Sequence, residues 1–245
     1  MKNKLHLVSI ILILLIAGPL LHAQQLLTAE EKADFNRIKN DWPNLARYRD
    51  ENAKLGLPAA GEKRVVFMGN SITEGWKDIC PEFFAGRAYI DRGISGQTTP
   101  QMLIRFRPDV IDLNPEMVVI LAGINDIAGN TGPSTLEMIE GNIASMAELA
   151  KAHEIKVILC SVLPAYDFPW NPGVYPAEKI SVLNAWIKKY AAENGFSYLD
   201  YYSAMVDERK GLKAELTPDG VHPNKAGYKV MEQIVERAIQ NSLNK

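Results

Sequence analysis

Four short blocks hold the side chains best suited to chemistry. They are Gly69-Asn70-Ser71-Ile72-Thr73, Ile94-Ser95-Gly96-Gln97-Thr98, Gly123-Ile124-Asn125-Asp126 and Asp219-Gly220-Val221-His222-Pro223. The last is the most telling. A carboxylate and an imidazole three residues apart can form the acid and base of a relay whose nucleophile is a serine far upstream. The chain has four histidines, His6, His22, His153 and His222, and the first two fall in a segment that reads as a removable leader. Of the remaining pair, His153 ends a helical stretch before a strand, where a cation meets the negative end of the helix dipole. His222 has Asp219 in the same turn to fix its tautomer and stabilise the imidazolium formed during attack.

Each remaining block has a chemical and a structural reading. Ser71 follows a strand-like run and a glycine and precedes a helix start. Its hydroxyl can be a nucleophile beside helix amides that favour an oxyanion, or a simple N-cap. The surroundings are not Gly-x-Ser-x-Gly, which argues against an ordinary α/β-hydrolase elbow. Gly96 lets backbone approach a ligand and offers an amide, or is a turn glycine. Asn125 can present its side-chain amide to the same oxygen, or bond its own turn. Asp126 reads as the organiser of that loop.

The elements that must position these blocks alternate. Apolar, β-rich runs lie at residues 64–68, 88–90, 117–121, 156–162 and 197–199, and helix-period segments at 99–113, 134–153, 177–194 and 224–241. The runs lack period-2 alternation, as strands buried on both faces should, so a parallel sheet covered by helices on both sides is expected. In such a sheet ligands bind beyond the carboxyl ends of the strands. Ser71 follows the first run, Gly96 the second, Asn125 the third, and Asp219 and His222 the fifth. Pro223 is expected in the first turn of the last helix. Upstream, Thr28 to Glu31 forms a capping-box pattern, Pro43 is expected to open a second helix carrying Leu45, Tyr48 and Arg49, and residues 56–61 read as a linker.

The chain as a whole sets limits. Lys2 and Lys4, the apolar run 7–21 broken at Gly18-Pro19, and Ala23 before Gln24 read as a secretory signal of residues 1–23. No cysteine stands near that cleavage point to take a lipid anchor. An exported, periplasmic or extracellular protein is expected, with no stable membrane insertion after processing. A helical extension over 24–61 and one catalytic domain over 62–245 would follow. The 27 Lys and Arg against 29 Asp and Glu become a charge of about −4 once the two leader lysines are gone, which suggests no nucleic-acid partner. Cys80 and Cys160 are too few for a disulfide framework or a metal site. Export would permit a bridge between them, although Cys160 in its apolar run reads as a buried hydrophobe.

Together the four blocks resemble those of the SGNH hydrolases, also called GDSL-type esterases and lipases. The resemblance runs from about residue 64 to the C-terminus, and residues 42–48 are similar to a segment that precedes the core in some bacterial members. It implies a three-layer α/β/α, flavodoxin-like, five-stranded parallel sheet of order 2-1-3-4-5. It also implies Ser71 as nucleophile, His222 as base with Asp219, and the Ser71 amide, Gly96 and Asn125 as the oxyanion hole. No metal or organic cofactor is called for. One position departs: Asn70 stands where the family usually has Asp, keeping turn hydrogen bonds without the charge. The loop 164–176 carries Tyr166, Phe168, Trp170 and Tyr175, aromatics able to wall the site. Trp170 and Tyr166 are read as substrate contacts that can pack on a sugar face. A small-molecule or glycan ester substrate follows, with acetyl esters of carbohydrate favoured. Lysophospholipid or thioester hydrolysis and a non-catalytic carbohydrate-binding module on the same fold are the alternatives.

Overall fold

Apolar runs too hydrophobic to face water on either side become the inner strands. β1 (Val65–Gly69) and β3 (Met117–Ile120) are buried at every position. They lie between β2 (Tyr89–Gly93) on one side and β4 (Lys156–Cys160) and β5 (Ser197–Leu199) on the other. The computed structural model describes residues 28–243. Its five-stranded sheet has the order β2-β1-β3-β4-β5, every pair parallel. The expected leader, residues 1–23, lies outside the described residues. Among the described residues no helix is long and apolar enough to cross a membrane.

The chain divides into compact units at Asn44/Leu45. In the first, α1 (Ala29–Asn40) opens with Thr28 accepting from the Glu31 amide while the Glu31 carboxylate accepts from the Thr28 amide, the reciprocal box its sequence predicts. In the second unit, α2 (Arg49–Leu55) begins later than Pro43. Asn44 takes φ 57°, a left-handed turn conformation that no helix continues through. Leu45 and Tyr48 therefore precede the helix. Tyr48 turns inward, is buried, and donates its hydroxyl to the Gly93 carbonyl.

Helices flank the sheet. α3 (Ser71–Ile79), the one-turn α4 (Pro81–Phe84) and the final α10 (Lys225–Leu243) meet in an aromatic cluster. There Trp76 stacks between Phe83 at 4.8 Å and Tyr228 at 5.5 Å. α5 (Thr99–Asp109), α7 (Leu136–Ala152) and α8 (Ala177–Asn194) pack in succession. The one-turn α6 (Ile124–Ile127) and α9 (Tyr202–Met205) follow β3 and β5. Pro223 stands before α10 rather than in its first turn. Asn224 supplies the cap by accepting from the Gly227 amide at 3.1 Å, a bond that proline, with no side-chain acceptor, cannot make.

Strand β2 continues to Gly93, past the expected end at residue 90, because its charged residues Asp91 and Arg92 are buried. Gly93 is needed there: a Cβ on it would lie 2.1 Å from the Glu74 amide nitrogen. Only glycine lets α3 approach β2 this closely. Cys80 and Cys160 are buried free thiols.

Candidate active site

All four blocks stand at the carboxyl ends of strands, as the parallel sheet requires. Ser71 is the first residue of α3, directly after β1. Asn70 caps that helix by accepting from the Ile72 amide at 3.0 Å, so it keeps the turn without a charge. Its Nδ2, also buried, has no partner among the described residues. First-turn amides have no intrahelical acceptor, so the Ser71 N–H is available to a ligand oxygen beside its own hydroxyl.

The Ser71 Oγ lies 2.9 Å from His222 Nε2. His222 Nδ1 lies 2.7 Å from Asp219 Oδ2. An ionised Asp219 can only accept, so Nδ1 carries the ring proton and Nε2 is left to accept from the serine. The Asp219 Oδ1 accepts from the His222 and Val221 amides at 2.8 and 2.9 Å. Partial burial works to raise the Asp219 pKa, but these amides and the imidazole outweigh it and hold the carboxyl below its usual range. Thr217 closes the loop, donating to the His222 carbonyl at 2.7 Å and accepting from the Gly220 amide at 2.9 Å. On α10, the Tyr228 hydroxyl donates to the Ile72 carbonyl at 3.0 Å. The helix that follows the histidine is thereby fixed to the first turn of the helix that bears the serine.

Gly96 takes φ +76° on the loop after β2, an exposed turn at the rim of the site. Asn125, by contrast, is buried on α6. Its Nδ2 gives one hydrogen to the Gln97 carbonyl at 3.0 Å, which leaves the second for a ligand. Asp126 organises rather than reacts: it accepts from the Thr99 amide at 3.0 Å and the Thr99 hydroxyl at 2.6 Å. Burial raises its pKa against those bonds. His153 ends α7 with Nδ1 2.8 Å from the Leu149 carbonyl, a helix-terminus contact.

The two aromatic candidates part company. The Trp170 ring lies 5.8 Å from the His222 ring and stays 45% exposed. Tyr166 packs edge-on to Tyr175 at 6.0 Å and beneath the Arg209 guanidinium at 5.2 Å. With Asp219 and Gly220 it lines a small cleft of about 330 Å³, beyond the relay. A larger cleft of about 990 Å³ lies around the starts of β4 and β5. That is the opposite end of the sheet, and the cleft touches none of the four blocks.

Three residues that hold the blocks are not singled out by the sequence. Arg105, buried in the middle of α5, donates to the Gly69 and Arg92 carbonyls at 2.9 Å each and to Gln97, and pairs with Asp109 at 3.0 Å. One guanidinium thus ties the ends of β1 and β2 to the loop after β2. Glu74 accepts from the Ser95 amide at 2.8 Å and from the Ser95 hydroxyl, and meets Arg47 at 3.3 Å. Asn130 spans the loops after β2, β3 and β4. A charged residue flanked by apolar helix neighbours, as Arg105 is by Ile104 and Phe106, is the only local hint among them.

A model of the GDSL-like lipase/acylhydrolase family matches residues 67–230, a span that contains all four blocks. The acetylxylan esterase of Xylanibacter ruminicola is 27% identical over 223 residues, covering 75% of this chain and 45% of that protein. The chain thus spans less than half the length of that relative. The esterase TesA of Pseudomonas aeruginosa is 26% identical over 183 residues, 73% of this chain and 85% of that protein. Among solved structures, a GDSL-like lipase from Bacteroides thetaiotaomicron is 54% identical with a TM-score of 0.80. It covers 82% of this chain, which covers 99% of it.

Proposed function

The chain belongs to the GDSL-like lipase/acylhydrolase family, and we propose that it is an exported esterase that removes short acyl groups, acetyl first among them, from carbohydrate. Ser71 is the nucleophile, His222 the base and Asp219 its orienting acid. The observation that carries the chemistry is the unbroken line from Ser71 Oγ through both ring nitrogens of His222 to Asp219.

The reaction runs in two steps. His222 Nε2 takes the hydroxyl proton as Oγ attacks the ester carbonyl carbon. The resulting oxyanion sits among the Ser71 and Gly96 amides and the free N–H of Asn125. His222 then gives its proton to the leaving alcohol oxygen, leaving an acyl-serine. Water, deprotonated by the same imidazole, releases the acid and restores Ser71.

The substrate class rests on the alcohol side. An acetyl group offers little to bind, since each methylene contributes only about 0.8 kcal/mol, so recognition falls to the sugar. The half-exposed Trp170 ring beside His222 supplies an apolar face at the place where the leaving alcohol must receive its proton. The likeness to an acetylxylan esterase and the leader-like residues 1–23 support the same reading. The test is an acyl series from acetate to laurate on the p-nitrophenyl alcohol, with Ser71→Ala as blank. kcat/KM is expected to fall from acetate onward. A rise towards octanoate and laurate would place the protein among acylhydrolases of lipids.

A further inference from the structure

We infer that Asn130 is a positioning residue that sets the oxyanion hole from the substrate side, transmitting the placement of Trp170 to Gly96 and Asn125. The inference rests on the proposed roles of Gly96 and Asn125 as oxyanion donors. Three contacts carry it. The Trp170 indole Nε1 donates to Asn130 Oδ1 at 3.2 Å. Asn130 Nδ2 donates to the Gly96 carbonyl at 3.2 Å. The Asn130 backbone amide donates to the Asn125 carbonyl at 3.0 Å.

The chemistry of the partners fixes the orientation of the amide. An indole N–H can only donate and a carbonyl oxygen can only accept, so Oδ1 must face Trp170 and Nδ2 must face Gly96. A flipped amide would lose both bonds. One exposed side chain therefore joins the ring against His222 to the carbonyl of Gly96, one residue's length from the Gly96 N–H that is a proposed donor. Its own backbone amide holds the main-chain carbonyl of Asn125, whose side chain is the other proposed donor. The Ser95–Gly96 turn is held from the opposite side by Glu74, which accepts from the Ser95 amide and hydroxyl. Gly96 itself adds no side chain, and its φ of +76° is open to it without penalty. Its amide direction is thus left to what holds the turn: the Gln97 amide on the Ile94 carbonyl at 3.3 Å from within, and the Glu74 and Asn130 grips from outside. The Glu74 grip does not touch the substrate side. The Asn130 grip does, so a sugar seated on Trp170 acts on the hole through Asn130.

The two arms can be cut one at a time. Asn130→Asp keeps an acceptor for Trp170 but turns a carboxylate oxygen toward the Gly96 carbonyl. Trp170→Phe keeps an aromatic ring beside His222 but removes the indole donor. For p-nitrophenyl acetate, whose leaving group makes no sugar contact, Asn130→Asp is expected to lower kcat by between about 10- and 100-fold, the range for a misplaced oxyanion donor, with KM within about twofold. In an Asn130→Ala background Trp170→Phe should add no further loss of kcat, because the chain is already cut. A residue that merely supported folding would shift the thermal midpoint and leave the two substitutions additive. An unchanged kcat in Asn130→Asp, while Asn125→Ala falls about a hundredfold, overturns this inference and leaves the oxyanion reading standing. Full additivity of Asn130→Ala with Trp170→Phe also overturns it. If Asn125→Ala and Asn130→Asp both keep wild-type kcat, the oxyanion reading falls and this inference falls with it.

Discussion

The rims of the site are built in two ways. The rim formed by the ends of β1, β2 and β3 is tied by buried polar groups. Arg105 grips two strand-end carbonyls, Asp126 holds the start of α5, and Asn125 binds the Gln97 carbonyl. The rim formed by the loop after β4 is aromatic and open, with Trp170, Tyr166 and Tyr175 between 45% and 62% exposed. Under the proposed function, the first would place atoms that must not move when charge develops, and the second would offer faces to the bound alcohol. Fixed electrostatics for a reaction and adaptable apolar surface for recognition are different demands, and loops braced and loops open suit them respectively.

The sharpest way to break the braced rim is Arg105→Met. It leaves Asp109 buried without its cation and two strand-end carbonyls without a donor. Loss of one partner of a buried pair costs about 3–5 kcal/mol, so the urea midpoint should fall by several tenths of its value or more. A midpoint within error of wild type would mean that the strand ends are held by packing alone.

Asn125→Ala tests the rim's chemical role. Losing one oxyanion donor costs about 3 kcal/mol, a loss in kcat of roughly a hundredfold. KM should stay near its original value, because the bond forms mainly in the transition state. If KM rises instead and kcat holds, Asn125 binds substrate and does not serve the oxyanion.

The braced rim contains one charge left unbraced. Asp91 on β2 accepts from the Gly93 amide at 2.7 Å, while its Oδ2 is buried without a partner among the described residues. Burial, opposed chiefly by that amide, raises its pKa to about 7. Between its unfolded value of 3.8 and about 7 the folded protein keeps a proton that the unfolded chain has lost. This contribution to stability is therefore full below the unfolded value and lost as pH rises through the folded one. Asp91→Asn should raise the melting temperature at pH 8, by an amount equivalent to about 1–3 kcal/mol, and leave it nearly unchanged at pH 4. An equal shift at both pH values would assign the effect to packing.

The smallest effect belongs to the open rim. Trp170→Ala should slow release of acetate from an acetylated xylo-oligosaccharide several-fold more than release from p-nitrophenyl acetate, a difference of about 1 kcal/mol for one aromatic contact. Equal losses on the two substrates would move Trp170 from recognition to the support of His222.

Much of this division could be read from the sequence, and the limits are physical. β1 and β3 announce themselves as unbroken apolar runs, and the four blocks follow strands in order. The second half of β2 does not, because Asp91 and Arg92 look solvated when read locally and are buried only by the helices above them. The start of α2 lies six residues beyond the expected Pro43, at Arg49, since the left-handed Asn44 that delays it has no local signature beyond its residue type. Ser71, His222 and Asp219 carry their chemistry in their side chains and could be singled out. Arg105, Glu74 and Asn130 act by reaching peptides distant in sequence, and residue type alone says nothing of that reach.

The central claim is that Ser71 is the acyl-accepting nucleophile, activated by His222. A fluorophosphonate probe tests it most directly, because such reagents phosphonylate only serines whose hydroxyl is made nucleophilic by a neighbouring base. The account predicts one adduct per chain, on the peptide containing Ser71, with esterase activity lost in step with labelling and labelling largely abolished in His222→Ala. Activity that survives complete labelling of Ser71, or that disappears with the adduct on another residue, would contradict it.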